Sequence, residues 1–197
     1  MRPLRFGRGL RLYGMEMART IVASAGGEAE VERLAALVTV QYERQGRILW
    51  GLARRLGAND ETAADVVQET HVRLWRTLLD GTHIDDLDAW TFRVAYRLVM
   101  DQHRLGRRIR ELAERFSEPP TLTISAGIDD AVSLWPAVDR LPERERVTMY
   151  LRFRADLSFD QIAEVMGISA AGARTYASRG VERLRVALSP AEGESNA

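Results

Sequence analysis

The sequence predicts an all-α protein: two small helical domains joined by a flexible acidic linker, the C-terminal one a helix-turn-helix. Three observations predict it. Apolar residues recur at helical spacing along most of the chain, and no segment alternates with the period of a strand. Residues 116–130 break that pattern with Pro119-Pro120, Ser125, Gly127 and three acids, and hold no basic residue. Proline blocks helix continuation, so this stretch reads as an interdomain linker. Residues 157–179 then place a short apolar helix, a glycine turn and a second capped helix in succession.

Residues 1–30 lack sustained periodicity and contain Gly26-Gly27, which reads as a flexible tail. Its opening arginines are followed by no apolar core, because Glu16 and Arg19 interrupt it, so no signal peptide is expected. Met15 or Met17 offers an alternative natural start. Residues 31–56 carry Leu34, Leu37, Val38, Ile48, Leu49, Leu52 and Leu56 at helical spacing, and Gly57 ends that helix. Asn59 or Asp60 caps the next, whose apolar side is Val66, Val67, Thr70, Leu74 and Leu78. Asp80-Gly81 breaks it. A third, proline-free helix is expected over residues 86–115, with Val94, Ala95, Leu98, Leu105, Ile109 and Leu112 as its core side. Beyond the linker, helices are expected near residues 131–139, 143–154, 159–166 and 170–188, with 189–197 a loose tail.

Composition narrows the function. The 197 residues include no cysteine, which removes disulfides, thiol catalysis and most structural zinc sites. No apolar run approaches the roughly eighteen residues a membrane span needs, so a cytoplasmic protein without membrane insertion is expected. Net charge is zero, yet its distribution is uneven. Residues 60–88 hold eight acids against Arg73 and Arg76, whereas residues 93–115 hold seven arginines against Asp101, Glu111 and Glu114. Adjacent blocks of opposite sign suit one basic and one anionic partner, or two solvated faces; charge alone does not choose.

In residues 157–179, Ser158 and Gln161 have the spacing of a capping box, and Gly167 suits the left-handed residue that closes a helix. Ile168 plugs the turn and Ser169 caps the next helix. At about 100° per residue, Ala173, Ala177, Val181, Leu184 and Leu188 share one face of that helix. Ala171, Thr175, Ser178, Arg179 and Glu182 lie opposite, flanked by Arg174 and Tyr176. Small side chains that permit close approach, interspersed with arginines for guanine edges or phosphates, suit a major groove. The candidate duplex-reading set is therefore Arg174, Thr175, Tyr176, Ser178 and Arg179.

On the third helix Arg93, Arg97, Arg104 and Arg108 fall within about 80° of one another, a row that can follow a phosphate backbone. Tyr96 lies beside them, and aromatic rings can stack on unpaired bases; Trp90 and Phe92 are expected in the core. On the second helix Asp65, Gln68 and Glu69 face outward, an acidic, amide-bearing surface suited to a basic helical partner or simply to water.

These segments carry a resemblance. Asp65-Val-Val-Gln-Glu-Thr-His-Val-Arg-Leu-Trp75 resembles the polymerase-binding segment of the extracytoplasmic-function (ECF) group of sigma-70 factors. Trp90-Thr-Phe-Arg-Val-Ala-Tyr-Arg-Leu-Val-Met-Asp101 resembles the group's promoter-melting helix, and Leu141-Pro-Glu-Arg-Glu-Arg with the helix-turn-helix resembles its C-terminal domain. The resemblance implies a sigma factor with an N-terminal domain over 31–115 and a C-terminal domain over 131–188. The first would bind core RNA polymerase through Asp65, Gln68 and Glu69. It would melt the minus-ten element with the arginine row and Tyr96, capturing an unstacked base near the loop of residues 80–88. The second would read the minus thirty-five element. Promoter DNA and core polymerase are the implied partners, an anti-sigma factor is a further one the family allows, and no cofactor is implied. Tyr96-Arg97 departs from the family's usual arginine-asparagine, and Tyr176 stands where a basic residue is common.

No enzyme is expected: His71, His83 and His103 lack metal-ligand spacing to one another, and Gly7-Arg-Gly9 is an incomplete glycine motif. The rival is a self-sufficient helix-turn-helix regulator, which would bind duplex DNA alone, as a symmetric dimer.

Overall fold

The computed structural model describes residues 28–113 and 134–188. These form seven helices, with no strand among the described residues. The predicted linker at 116–130 and tail at 189–197 lie outside them, as do residues 1–27 of the predicted N-terminal tail.

Helix α1 (Glu28–Arg55) begins inside that predicted tail, where an i,i+3 pair between Glu30 and Arg33 (3.1 Å) supports the opening turns. It ends where Gly57 adopts φ of 96°. Asn59 caps α2 (Asp60–Leu79) by accepting the Thr62 N–H at 2.8 Å. Gly81, at φ of 74°, follows the end of α2. Asp86 then accepts the Ala89 N–H at 2.9 Å and starts α3 (Leu87–Ala113).

The three helices bury Leu49, Leu52 and Leu56 of α1, Ala63, Val66, Val67 and Leu74 of α2, and Phe92, Ala95 and Val99 of α3. Burying each large side chain stabilises by about 1.5–3 kcal/mol. Between α1 and α3 the buried polar groups are paired, as burial demands: the Thr91 hydroxyl donates to Gln45 Oε1 at 2.7 Å, and Gln41 Nε2 donates to Asp88 at 2.9 Å. Leu105, expected in the core, is instead exposed, and the side chains of Ile109 and Leu112 lie outside the described residues.

The second group contains the short α4 (Trp135–Val138), α5 (Glu143–Phe153), α6 (Phe159–Met166) and α7 (Ala170–Leu188). Val147, Met149 and Leu151 of α5, Ile162 and Val165 of α6, and Ala173, Ala177 and Leu184 of α7 are buried. Gly180, not Val181, completes the buried face of α7, because α5 lies so close there that a Cβ on Gly180 would come within 2.9 Å of Met149 Cγ. Val181 and Leu188, both expected on that face, are exposed. Buried Glu145 is compensated by Arg183 at 2.9 Å.

The two groups share one hydrophobic core, running from Leu49, Phe92 and Val99 into Tyr150, Leu151, Ile162 and Val165. α6 lies across α3, and α5 packs against α1.

Candidate nucleic-acid interface

The turn between α6 and α7 forms as its residues dictate. Ser158 Oγ accepts the Gln161 N–H at 3.2 Å while Gln161 Oε1 accepts the Ser158 N–H at 2.6 Å. Gly167 takes the left-handed conformation (φ 65°), half-buried Ile168 packs against the core, and Ser169 Oγ accepts the Gly172 N–H at 3.0 Å. With Ala173 and Ala177 turned inward, α7 presents Arg174, Thr175, Ser178 and Arg179 to solvent.

The flanking side chains are held rather than loose. The Arg174 guanidinium lies 5.6 Å from the centre of the Phe159 ring on α6. Tyr176 is half-buried, and its hydroxyl accepts a hydrogen bond from Arg144 Nη1 at 2.9 Å, with the same guanidinium 5.8 Å from its ring. That bond to Tyr176 raises the pKa of Arg144 further above its ordinary value. Sequence reasoning quoted Arg144 within a motif but did not place it at this surface; its partner is 32 residues away.

On α3 the predicted row is divided. Arg97 is exposed, and Arg104 is exposed beside Asp101 at 3.0 Å. Arg93 is half-buried and paired with Glu164 of α6 at 3.3 Å. Tyr96 is also half-buried, and burial, then the Glu143 carboxylate, pushes its phenol pKa up. The Arg108 side chain lies outside the described residues. Phe92 is in the core as expected, whereas Trp90 is only half-buried. In the loop before α3, Gln161 Nε2 donates to Asp86. Partial burial opposes ionisation of Asp86, but hydrogen bonds from Ala89 N–H and Gln161, with Arg93 nearby, outweigh it and lower its pKa.

On α2, Asp65 and Gln68 are exposed; Glu69 is half-buried and accepts from Arg73 Nε at 2.8 Å. Asp65, Gln68 and Glu69 thus lie on the side of α2 opposite buried Ala63, Val66, Val67 and Thr70. Of the histidines, His71 is buried, His83 is exposed and His103 lies half-buried near Gly57.

Comparison with known proteins gives the arrangement a family. Residues 41–109 match Sigma-70 region 2 and residues 132–184 match Sigma-70, region 4, together more than half of the chain. The ECF RNA polymerase sigma factor SigL of Mycobacterium tuberculosis is 28% identical over 173 residues, covering 85% of this chain and 96% of the relative. The RNA polymerase sigma factor SigV of Bacillus subtilis is 26% identical over 133 residues, covering 66% of this chain and 78% of the relative. Among solved structures, sigma factor RpoE of Bartonella quintana, in complex with the anti-sigma factor NepR, shares the fold. Its TM-score is 0.59 at 20% identity, over 77% of this chain and 98% of the other. CnrH in complex with the cytosolic domain of CnrY does so with a TM-score of 0.54 at 22% identity, over 81% and 95%. No helix among the described residues is long and apolar enough to cross a membrane. The chain belongs to the ECF group of the sigma-70 family and is an alternative sigma factor that directs transcription initiation by RNA polymerase.

Proposed function

We propose a division of labour among three surfaces. Asp65, Gln68 and Glu69 on α2 dock onto basic helical surface of core polymerase. Arg93, Tyr96, Arg97, Arg104 and Arg108 on α3 receive the separated strands of the minus-ten element. Arg174, Thr175, Tyr176, Ser178 and Arg179 on α7 read the minus thirty-five duplex. The observation that carries this reading is the exposure of Thr175, Ser178 and Arg179 in one row on a helix capped by Ser169 just after a left-handed glycine turn. A helix held by a turn of that kind can enter a major groove, and small side chains beside arginine permit both close approach and base-edge contacts. Arg144, fastened to Tyr176, supplies a cation beside α7 where Tyr176 itself has none. The protein works in the cytoplasm, carries no catalytic centre of its own, and has an antagonist of the anti-sigma type, a reading supported by the partner of the Bartonella neighbour.

Transcription from a promoter library with core polymerase, with and without the protein, tests the reading. New start sites should appear only when both are present. Tight duplex binding by the protein alone, as a symmetric dimer, would instead identify a self-sufficient regulator. Reversing Asp65 and Glu69 to arginine should weaken capture of core polymerase while leaving helicity unchanged. Undiminished capture would remove α2 from the docking surface.

A further inference from the structure

A helix lying in a major groove has a phosphate strand on each side of it. On α7 the row of Thr175, Ser178 and Arg179 is flanked by Arg174 on one side and Tyr176 on the other, each about 100° from Thr175. The first flank carries a cation of α7 itself, whose guanidinium rests 5.6 Å from the centre of the Phe159 ring. The second flank has no charge from α7. There α5 reaches across. Exposed Arg144 donates from Nη1 to the Tyr176 hydroxyl at 2.9 Å, and its guanidinium lies 5.8 Å from the ring centre. Each flank thus carries an arginine held by an aromatic ring, although the two arginines come from different helices.

The pair on the second flank offers donors. A guanidinium has N–H groups and no acceptor, and Arg144 spends only one of them on Tyr176. The phenol, having accepted, keeps its own O–H to donate. Converging donors beside a full positive charge match a phosphate oxygen. A guanine edge instead asks for the flat two-pronged fork of an arginine, and Nη1 of Arg144 is already engaged. The holding point is itself fixed: Tyr176 is half-buried, and buried Ala173 and Ala177 anchor α7 on either side of it in the chain. A loose arginine loses rotamer freedom each time it grips DNA, and one already held loses less.

We propose that Tyr176 is a positioning residue. It holds Arg144 of α5 over the phosphate strand across the groove from Arg174, and it selects no base itself. This rests on the reading of α7 as the duplex-reading helix, and it narrows the part of Tyr176 in that reading. The row between the flanks reads sequence, and the two held arginines set the register of α7 in the groove.

The test is titration of holoenzyme, assembled from core polymerase and the full chain, with promoter duplex at several salt concentrations. Arg144→Ala should weaken binding evenly over single-base variants of the upstream element. It should also make the slope of log affinity against log salt shallower by about one. Tyr176→Phe keeps the ring and removes the acceptor. It should cost about fivefold, again evenly and with a shallower slope, as expected for one hydrogen bond. Within the Arg144→Ala chain, Tyr176→Phe should cost nothing further, because the phenol acts through the arginine. A tyrosine that merely packs α7 gives another pattern, in which the two losses add and Tyr176→Phe leaves the slope alone. That pattern, or a slope that Arg144→Ala does not move, would overturn the assignment. So would a preference altered at one base by Tyr176→Phe, which makes the phenol a reader. Arg179→Ala separates this from the wider reading: if it changes neither affinity nor base preference, α7 is not the duplex-reading helix and the proposal falls with it.

Discussion

Arg174 and Arg179 sit on the same helix and are held differently. Arg179 projects from the face that carries Thr175 and Ser178, whereas Arg174 is held against Phe159 at the flank. Arg179→Ala should therefore cost about 1–3 kcal/mol at one guanine and relax specificity there. Arg174→Ala should weaken binding evenly across upstream sequences, as loss of a phosphate contact does. Competition binding of the holoenzyme to single-base variants of the upstream element separates the two patterns. His71 carries a different consequence. It is buried, its Nδ1–H donates to the Val67 carbonyl at 2.7 Å, its ring meets Tyr42 edge-on at 4.9 Å, and burial lowers its pKa. The unfolded chain binds that proton more readily, so stability should be full above about pH 6.5 and fall as pH drops below it. Urea midpoints on either side of that pH would show it, and His71→Gln should flatten the dependence.

Ser158 and Gln161 were legible as a cap from four residues of sequence, and so was Gly167, because a cap is a local contract between neighbours in the chain; the cap of α2 was narrowed to Asn59 or Asp60, and Asn59 takes the role. Ser158→Ala should cost about 1 kcal/mol in thermal or urea unfolding, the usual worth of such a cap. A wheel was less informative about packing. It put Val181 and Leu188 on the inner face of α7 and Leu105 on that of α3, and all three are exposed. Periodicity states which residues share a side, but the neighbouring helix chooses where along that side it touches. Met149 presses on Gly180, so the buried strip of α7 rotates away from Val181. Arg144 beside Tyr176 was invisible for a related reason: the pair belongs to two helices.

Fold class and the order of the segments could be read from one sequence, since helical period, breakers and capping residues are all local. The seating of one domain on the other could not, because it depends on Gly51 in α1 meeting Tyr150, 99 positions later, in α5. The surfaces proposed for recognition and for melting therefore sit on groups of helices that share one core. Replacing Arg97 and Arg104, exposed and clear of the covered end of α3, with alanine should let polymerase find the promoter yet leave it closed. Opening exposes unpaired bases and phosphates that need new cationic and stacking partners. A premelted template should restore much of the activity, and permanganate footprinting on both templates reads the difference. Normal opening of duplex by the double variant would reduce the row to a solvated face.

Gln161 divides one amide between two bodies. Its oxygen takes the Ser158 proton at the start of α6, and its nitrogen reaches Asp86 before α3. Separation of the two bodies would take from that amide one of its two anchors, and from the Ser158 proton part of its shelter. Deuterium uptake at this single backbone position should therefore act as a clock for domain separation. It should run slowly in the native chain and faster with Gly51→Ala, while the Leu74 amide, deep within α2, keeps its own time.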